Sequence, residues 1–557
     1  MDMVVFEENK PYVLEALRNG DFDYIEAAGE VFEAEFFRFI GARRILEKLT
    51  ETYPTPRKKE DVPLWVYIAS NLSMRLHGEH SFNAFPMVVR CGGMLNALGP
   101  KVGRKVVHPD SGDVTIACEG FNKKNHYDRQ SPCDQDYLRK LSKDTDAYAL
   151  MRWFCHDVVQ VFGSQRVFDK EGIFIGDGSY LFVPDNPNYE GSVKLLFDEH
   201  NHPVSEKAYA AMTQEQKARC QWRRCYKMVT LLHTNRTMEY FVFVGLRVVS
   251  GKDHECPLLY DLVGQFVESV GTGVMKRLIL DRAFLDGEAI SICKKDYGID
   301  ILIPVRSNMD IYEDAMALFG QPDVNWVCCH EAFEEPREAV RPRPKAVERR
   351  EKRRQKTLEQ IKASKPPEPP EKTLVGREAA AIGEFTSWSS CTVPLSVVAN
   401  RERYQDGHED MWLLLDTKEV DDPAKARQEY HIRTAIEERY RQLKCFVDLS
   451  DFTSRAFSMV VNQVVFVMLT YNLLQFYFMQ QGRQELNSKP MPIIRRRLLP
   501  SDSPTIVYWQ NYYARFAPYE LIDFLLRLGE KVRIKIADKC RRHRLELNDA
   551  LKNPRPP

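Results

Sequence analysis

Four side chains late in the chain have the types and spacing needed to bind a phosphate group beside a metal ion. They are Tyr430, Arg433, Glu437 and Lys444. At 100° per residue, all four fall within about 60° of one another on a single α-helix. Apolar residues fall on a separate stripe that can pack against a core. The spacing therefore predicts one helix with a carboxylate held among two cations and a phenol; a solvated charged helix is the alternative.

Two further acids lie in or directly after apolar stretches. The segment GIFIGDGSYLFVP predicts a strand with Asp177 between Gly176 and Gly178. The segment KRLILDRAFLDGEAI predicts a short buried strand, Leu278–Leu280, that ends at Asp281 and is followed by a helix. Each carboxylate is thus attached to a strand, which is a rigid support for a metal ligand.

The elements between these acids predict how the two strands are arranged. Two β-rich runs, at 226–234 and 238–251, follow the Asp177 strand, and a helix at 257–270 precedes the Asp281 strand. A helix and a strand at 298–305 come next. A helical crossover allows the Asp281 strand to lie parallel to the Asp177 strand, and neighbouring strands are about 5 Å apart. We therefore expect the two aspartates to share a metal site.

The spacing Tyr-x2-Arg-x3-Glu-x6-Lys, with Asp281, Arg282 and Phe284 upstream, resembles the signature of the DDE transposases of bacterial insertion sequences. It is most similar to the YREK group, of the insertion-sequence-four type. The chain departs from the family pattern at Ala283, where glycine is usual. The resemblance covers roughly residues 165–310 and 405–480. It implies an α/β fold with a ribonuclease-H-like catalytic core, a mixed five-stranded sheet with flanking helices.

The resemblance and the composition of each segment together predict five regions. Asp281 and Glu437 are 156 positions apart, which is too long for a loop in a compact core, so this gap contains an insertion. We expect a helical DNA end-binding region at 1–150, a first part of the core at 165–310, an insertion domain at 311–425 with a basic Pro-rich linker and β-strands, a second part of the core at 426–480, and a basic helical region for dimerisation at 481–557.

The resemblance implies cut-and-paste transposition by a metal-dependent phosphodiester chemistry. Asp177, Asp281 and Glu437 are expected to hold two Mg²⁺ ions, for which Mn²⁺ can substitute, because such hard ions prefer carboxylate oxygens. Tyr430, Arg433, Lys444 and Arg282 are expected to contact DNA. The expected partners are the terminal inverted repeats, target DNA and a second copy of the chain, with a hairpin intermediate and catalysis in trans. No nucleotide cofactor is expected.

Other DNA contacts are predicted from aromatic and basic residues. Trp388 is the preferred candidate for stacking on a flipped base, ahead of Trp326 and Trp412. The 79 basic and 79 acidic residues balance, so DNA binding depends on local basic patches. Three such patches occur, at 341–356, at 539–544 and at Arg495, Arg496 and Arg497.

Several other classes of protein are disfavoured by the sequence. The thirteen cysteines include no CxxC pair, so zinc at Cys220 and Cys225, or at the Cys328-Cys329-His330 cluster, is the weaker alternative to ordinary thiols. No P-loop or dinucleotide motif is present, and the first residues do not resemble a secretory signal. The uncharged run from 456 to 479 is interrupted by Asn and Gln, which favours a buried core helix over a membrane span. The expected location is the bacterial cytoplasm, at the nucleoid.

Two alternatives to a transposase share its residues. One is an inactive or domesticated relative that only binds DNA; the retained acids Asp177, Asp281 and Glu437 argue against it. The other is a nuclease on the same fold that does not join strands. No residue pattern separates strand transfer from hydrolysis alone, so the sequence leaves this second alternative open.

Overall fold

The computed structural model describes residues 7–27, 30–59, 62–85, 88, 94, 104–107, 114–118, 133–329, 374–446, 449–487, 489, 494, 505–510 and 512–552. Over these residues the fold is mixed α/β, as the sequence predicts. The chain forms two compact units. The first contains Met1–Arg277 and Ala435–Pro557, and the second contains Leu278–Thr434.

The amino-terminal part of the first unit is rich in helices, with four short strands. One helix of the pair predicted for a DNA reader is present as α4, whereas the second falls largely outside the described residues. The elements are β1 (Glu7–Glu8), α1 (Lys10–Arg18), β2 (Tyr24–Ala27), α2 (Glu30–Ala42), α3 (Ile45–Thr52), α4 (Leu64–His77), β3 (Arg104–Val107), β4 (Val114–Cys118), α5 (Gln135–Asp144), α6 (Ala147–Trp153) and α7 (Val159–Ser164).

The sheet of the first unit is built around the long strand β7 (Gln221–Thr234), which pairs antiparallel with three other strands. Residues 173–183 and 241–250 pair with this central strand along its opposite edges, and a short strand at 193–197 extends the second of these pairings. The predicted meander is therefore present, with an additional strand and two short helices that the sequence did not indicate. The elements are β5 (Ile173–Val183), β6 (Val193–Phe197), α8 (Glu206–Ala211), α9 (Gln214–Arg219), β7 (Gln221–Thr234), β8 (Phe241–Ser250) and α10 (Glu255–Val270).

The second unit contains its own run of strands, in the order β11-β12-β13-β14-β10-β9. The strand pair β10 and β14 is antiparallel, with Ile303 opposite Leu415. The β-strands predicted for the insertion thus continue the sheet that contains β10. The predicted linker lies almost wholly outside the described residues. The elements are β9 (Arg277–Leu280), α11 (Gly287–Lys295), β10 (Asp300–Pro304), α12 (Asp310–Phe319), β11 (Val327–Cys328), β12 (Leu374–Phe385), β13 (Leu395–Tyr404), β14 (Glu409–Asp416) and α13 (Pro423–His431).

The prediction of one continuous helix through residues 430–444 is wrong. Helix α13 ends at His431, and α14 (Thr434–Phe446) begins three residues later. Between them the N–H of Arg433 donates to the carbonyl of Tyr430, only three residues back. The hydroxyl of Thr434 also donates to the carbonyl of His431, at 2.8 Å. The β-branched Ile432 and Thr434 favour this break, because they resist helical packing and Thr offers the backbone a competing hydrogen bond.

Helix α15 (Phe457–Gln480) is a buried core helix. Within the described residues it is the one helix long and apolar enough to cross a membrane, with a mean hydropathy of 1.6, but 89% of that apolar window is buried in the protein. Asn472 accepts from the N–H of Phe243 (2.8 Å) and donates to the carbonyl of the same residue (2.7 Å), and Gln475 accepts from the N–H of Phe241 (2.9 Å). Its amides therefore satisfy backbone groups of β8 that no described strand pairs.

The two ends of the chain share one small sheet. Its order is β1-β16-β15-β2, so amino-terminal strands flank a carboxyl-terminal hairpin. Val13, Phe22, Val507 and Tyr512 are among the residues of its core. The carboxyl-terminal region is therefore not helical throughout. The elements are β15 (Thr505–Trp509), β16 (Tyr512–Phe516), α16 (Pro518–Arg527) and α17 (Glu530–Lys552).

A buried histidine in strand β7 predicts a loss of stability in acid. Burial lowers the pKa of His233 to about 3, and its Nε2 accepts from the N–H of Asp169 at 3.0 Å. Because the folded-state pKa lies below the unfolded value of 6.5, the unfolded chain gains a proton first, and stability falls as the pH drops from 6.5 toward 3. Between pH 7 and pH 5 we expect this group to remove about 2 kcal/mol.

Denaturant unfolding at pH 7 and pH 5 measures this effect, with His233→Gln as the comparison. Glutamine keeps an acceptor but does not titrate, so the variant should lose less stability than the wild type over this range. An equal loss in both proteins would show that His233 does not act as a neutral core residue.

Candidate active site

Strand β5 presents Asp177 on the sheet face that α14 covers. In the antiparallel register Asp177 lies opposite Thr230, and opposed residues point to the same face. The Thr230 hydroxyl is 2.6 Å from the phenol oxygen of Tyr440, in α14. Ser179, two residues beyond Asp177 and hence on the same face, accepts from the ammonium of Lys444 at 2.7 Å. The Asp177 side chain therefore projects toward α14.

Helix α14 carries Glu437 on the stripe that contacts β5. Spacings of three and four residues place Glu437, Tyr440 and Lys444 on one helix face. The Tyr440 hydroxyl donates to the backbone carbonyl of Asp177 at 2.9 Å, and Lys444 donates to the carbonyl of Tyr180 at 2.8 Å. Glu437 lies one turn before Tyr440 and is exposed. Asp177 and Glu437 therefore lie on two elements that contact each other, β5 and α14.

Tyr440 is a residue that the sequence analysis missed. Burial, and next the charge of Asp177, raise the pKa of Tyr440 well above its usual value. The phenol therefore stays protonated and donates its single hydrogen to Asp177, while the Thr230 hydroxyl donates to it. The available signal was its position, three residues after Glu437 and four before Lys444, on the predicted functional face of the helix.

The opposite face of β5 is covered by a half-buried ion pair. A Cβ atom on Gly178 would lie 2.3 Å from Oε2 of Glu255, so only glycine fits without displacing this carboxylate. The ammonium of Lys227 is 3.6 Å from the same carboxylate and donates to the carbonyl of Asp253 at 2.9 Å. Because Lys227 balances its charge, Glu255 packs against the main chain directly beside Asp177.

Four predicted site residues lie near one another in the second unit: Asp281, Arg282, Tyr430 and Arg433. Burial raises the pKa of Tyr430 to about 12; the charge of Arg433 opposes this rise, the charge of Asp281 adds to it and that of Arg282 opposes it. The guanidinium carbon of Arg433 is 5.9 Å from the centre of the Tyr430 ring. Tyr430 therefore remains a protonated donor near neutral pH, between a carboxylate and two cations.

Asp281 lies at the edge of an open cleft in the second unit. The cleft has a volume of about 420 Å³ and is lined by Asp281, Arg282, Ala283, Arg306, Ser307 and Asn308. Arg306 donates through Nε and Nη2 to the carbonyl of Arg282, at 3.1 and 2.8 Å. The sequence analysis missed residues 306–308. Their signal was that they follow the carboxyl end of β10 as Asp281 follows that of β9.

The remaining predicted contacts are distributed differently. Trp388 lies in the loop between β12 and β13 rather than in a strand, and it is half-buried. Its carbonyl accepts from the N–H of Cys391 at 2.9 Å, and the Ser390 hydroxyl packs so closely on Gly287 that a Cβ there would lie 2.4 Å away. The loop is thus anchored on the first turn of α11. Arg495, Arg496 and Arg497 lie outside the described residues.

The donor chemistry of the site suits a hard cation rather than zinc. Asp177 and Glu437 offer carboxylate oxygens, which Mg²⁺ prefers. Burial raises the pKa of Cys225 to about 11, so its thiol is a poor ligand at neutral pH, and Cys220 contacts Met212 instead. Over the described part of the chain, no group of three or more His, Cys, Asp or Glu side chains is already gathered as a metal site. His330 lies outside the described residues.

The first unit thus has an acid on a strand, Asp177, and an acid on the helix that contacts this strand, Glu437, within a mixed α/β fold. The family profile of the transposase DDE domain matches residues 189–473, just over half of the chain, and the chain belongs to this family. The matched region contains Asp281, Tyr430, Arg433, Glu437 and Lys444, and it begins after Asp177.

Solved structures include a similar chain, a piggyBac transposase in a synaptic complex with hairpin DNA, determined by cryo-electron microscopy. The TM-score is 0.35 and the sequence identity is 10%, over 91% of this chain and 85% of that one. No curated protein matches the sequence.

Removal of the Tyr440 hydroxyl should loosen the contact between α14 and β5. Tyr440→Phe leaves the Asp177 carbonyl and the Thr230 hydroxyl without this partner in a buried setting, so we expect a loss of about 1–3 kcal/mol in the free energy of unfolding. Denaturant titration measures it. Tyr148→Phe, at a tyrosine that is 64% exposed, should change stability by less than about 0.5 kcal/mol. Equal stability of Tyr440→Phe and the wild type would mean that these bonds do not hold the helix.

Proposed function

We propose that the protein excises a DNA element at its terminal inverted repeats and joins the free 3′-hydroxyls to target DNA. The observation that carries this proposal is the contact between β5, which carries Asp177, and α14, which carries Glu437, in a chain of the transposase DDE family. The spacing of Tyr430, Arg433, Glu437 and Lys444 supports assignment to the YREK group of bacterial insertion sequences.

Asp177, Asp281 and Glu437 would together hold two Mg²⁺ ions, or Mn²⁺ in their place. When bound, such ions increase the nucleophilicity of the attacking oxygen and stabilise the leaving oxygen. Asp177 and Glu437 supply their carboxylates from rigid elements, which limits rearrangement on binding. Asp281 supplies the third carboxylate from the end of β9.

The phosphate groups of the DNA would be held by the cations and phenols around these acids. Tyr430 donates a hydrogen bond from its protonated hydroxyl, and Arg433 adds a charge-assisted bond. Arg282 and Arg306 bring two positive charges to the cleft beside Asp281, which suits a phosphate of the same strand. Lys444 donates to β5, and its positive charge would attract the neighbouring phosphate of the DNA strand.

The reaction course that we propose passes through a hairpin on the element ends, in a dimer in which each copy acts in trans. This course follows from the YREK assignment. Trp388 is the proposed stacking partner of a base flipped out during hairpin formation, because its loop is anchored beside the helix that follows Asp281. The proposed location is the bacterial cytoplasm.

Cleavage of DNA should depend on both metal and Glu437. With a labelled duplex that contains the element's own ends, we expect Mg²⁺ to yield 3′-hydroxyl products, EDTA to abolish them, and Glu437→Gln to lower the rate by at least about a thousandfold while DNA binding persists. Single-turnover gel assays and fluorescence anisotropy measure the two properties.

Glu438→Gln is the matched control for this experiment. Glu438 is the next residue on α14, where it pairs with Arg441 at 2.6 Å, and its substitution should leave cleavage within about threefold of wild type. Binding without cleavage by the wild type would favour a DNA-binding relative. Cleavage without joining of the 3′-ends would favour a nuclease on the same fold.

Trp388→Ala should separate the two steps of cleavage. Loss of the stacking surface should slow hairpin formation by about tenfold or more, because stacking of one base on an aromatic ring contributes about 1–3 kcal/mol. First-strand nicking, measured on the same gel, should change by less than about threefold. An equal reduction of both steps, or of neither, would contradict the assignment.

A further inference from the structure

An ion pair with a buried guanidinium links a strand of the second unit to the helix that carries Tyr430. Arg427, in α13, is 1% exposed and donates through Nη2 to the Glu402 carboxylate at 2.5 Å. Glu402, in β13, also accepts from the hydroxyl of Tyr404 at 3.1 Å and lies 3.5 Å from Nε of Arg377, in β12. The Arg427 guanidinium is thus fixed from two neighbouring strands.

Trp412 lies between this guanidinium and Tyr430. The Arg427 guanidinium carbon is 5.2 Å from the Trp412 ring centre, and the Trp412 and Tyr430 ring centres are 5.8 Å apart. In the registers of β12, β13 and β14, Glu402 and Trp412 point to the same sheet face. The face of α13 that packs there carries Arg427 and Tyr430, three residues apart. A continuous set of contacts therefore runs from Glu402 through Arg427 and Trp412 to Tyr430.

Tyr430 needs such support because of where it lies. It occupies the last turn of α13, one residue before the helix ends, and helix ends fray. Its hydroxyl has to point in one direction to donate to a phosphate. The neighbouring ring of Trp412 restricts the orientation of the Tyr430 ring, and cation–π attraction fixes Trp412 against Arg427.

A contribution to stability does not by itself explain the Arg427–Glu402 ion pair. Desolvation makes a buried Arg–Glu pair costly, and apolar side chains of similar volume often replace such pairs without loss of stability. The hydrogen bond between Arg427 and Glu402 instead fixes the orientation of the Arg427 guanidinium, which apolar packing would not do.

We propose that Arg427 and Trp412 are positioning residues that hold the Tyr430 hydroxyl toward the phosphate of a bound DNA end. This inference rests on the proposed function, because it assigns Tyr430 to that phosphate. Neither positioning residue touches DNA itself, and Trp412 is therefore not a base-stacking residue.

A double-mutant cycle tests whether Trp412 acts through Tyr430. We expect Trp412→Leu and Tyr430→Phe each to slow single-turnover cleavage of the element end by about tenfold, and the double variant to be no slower than Tyr430→Phe alone. Trp412→Phe keeps a ring and should restore most of the rate. Trp222→Leu, at a tryptophan that is 62% exposed in the first unit, should change the rate by less than about threefold in either background. Rate losses that multiply in the double variant would overturn the proposal.

A second variant separates positioning from folding. Arg427→Met combined with Glu402→Gln, whose amide oxygen can still accept from Tyr404 and Arg377, should keep the unfolding midpoint close to wild type but still lower the cleavage rate by about tenfold. Wild-type cleavage by this variant would make the pair purely structural and overturn the proposal.

A wild type that cannot cleave DNA would disprove the proposed function but still allow the positioning of Tyr430 to be tested. If the wild type binds the DNA end but does not cleave it, the same cycle is read on the dissociation constant measured in EDTA. Non-additive losses of affinity would then support the positioning of Tyr430, and independent losses would contradict it.

Discussion

The hydrogen bonds of one phenol determine the geometry of the candidate active site. Tyr440 donates to the main chain of Asp177 and accepts from Thr230, so it joins α14 to β5 and β7 at once. Lys444 extends this contact by one turn along the same helix. Because Glu437 lies one turn before Tyr440 on the same helix, its position relative to β5 depends on these bonds. Strand β5 is contacted on both faces, because Glu255 packs on the Gly178 main chain from the face opposite α14.

Buried polar groups elsewhere hold the elements that carry the site. The amides of α15 bond to backbone groups of β8 that β7 does not pair, and so fix the core helix against the sheet. In the second unit, the Arg427–Glu402 pair fixes α13 against its strands. In each case a polar side chain that is expensive to bury determines how a helix packs, because a hydrogen bond has a direction and apolar packing has much less of one.

Much of this arrangement could be predicted from the sequence. The apolar runs around Asp177 and before Asp281 are strands, and the uncharged run after 456 is a buried helix. These succeeded because periodicity and composition act locally. The break between α13 and α14 was not predicted, because the charge spacing continues across it and only the backbone bonds at 431–434 reveal it. Strand β6 (VKLLF) has only five residues and does not alternate between apolar and polar, so it gives a weak pattern.

The contacts that complete the site were harder to foresee for a different reason. Glu402 and Arg427 are 25 residues apart, and no spacing rule connects a strand residue to a helix residue across a hairpin. Arg306 meets Arg282 only because the loops after β9 and β10 lie side by side. Tyr440 had a visible helical position, but its partners Asp177 and Thr230 are more than 200 residues away. Such long-range pairs depend on tertiary structure, which single-sequence patterns do not encode.

The central claim is that Asp177, Asp281 and Glu437 ligate the same pair of metal ions. The most direct test is a crystal structure of the full chain bound to its own element end, grown with Mn²⁺, with anomalous scattering used to locate the metal. We expect Mn²⁺ peaks within ligand distance of all three carboxylates. Peaks ligated by other residues, or a site from which any one of the three is absent, would contradict it.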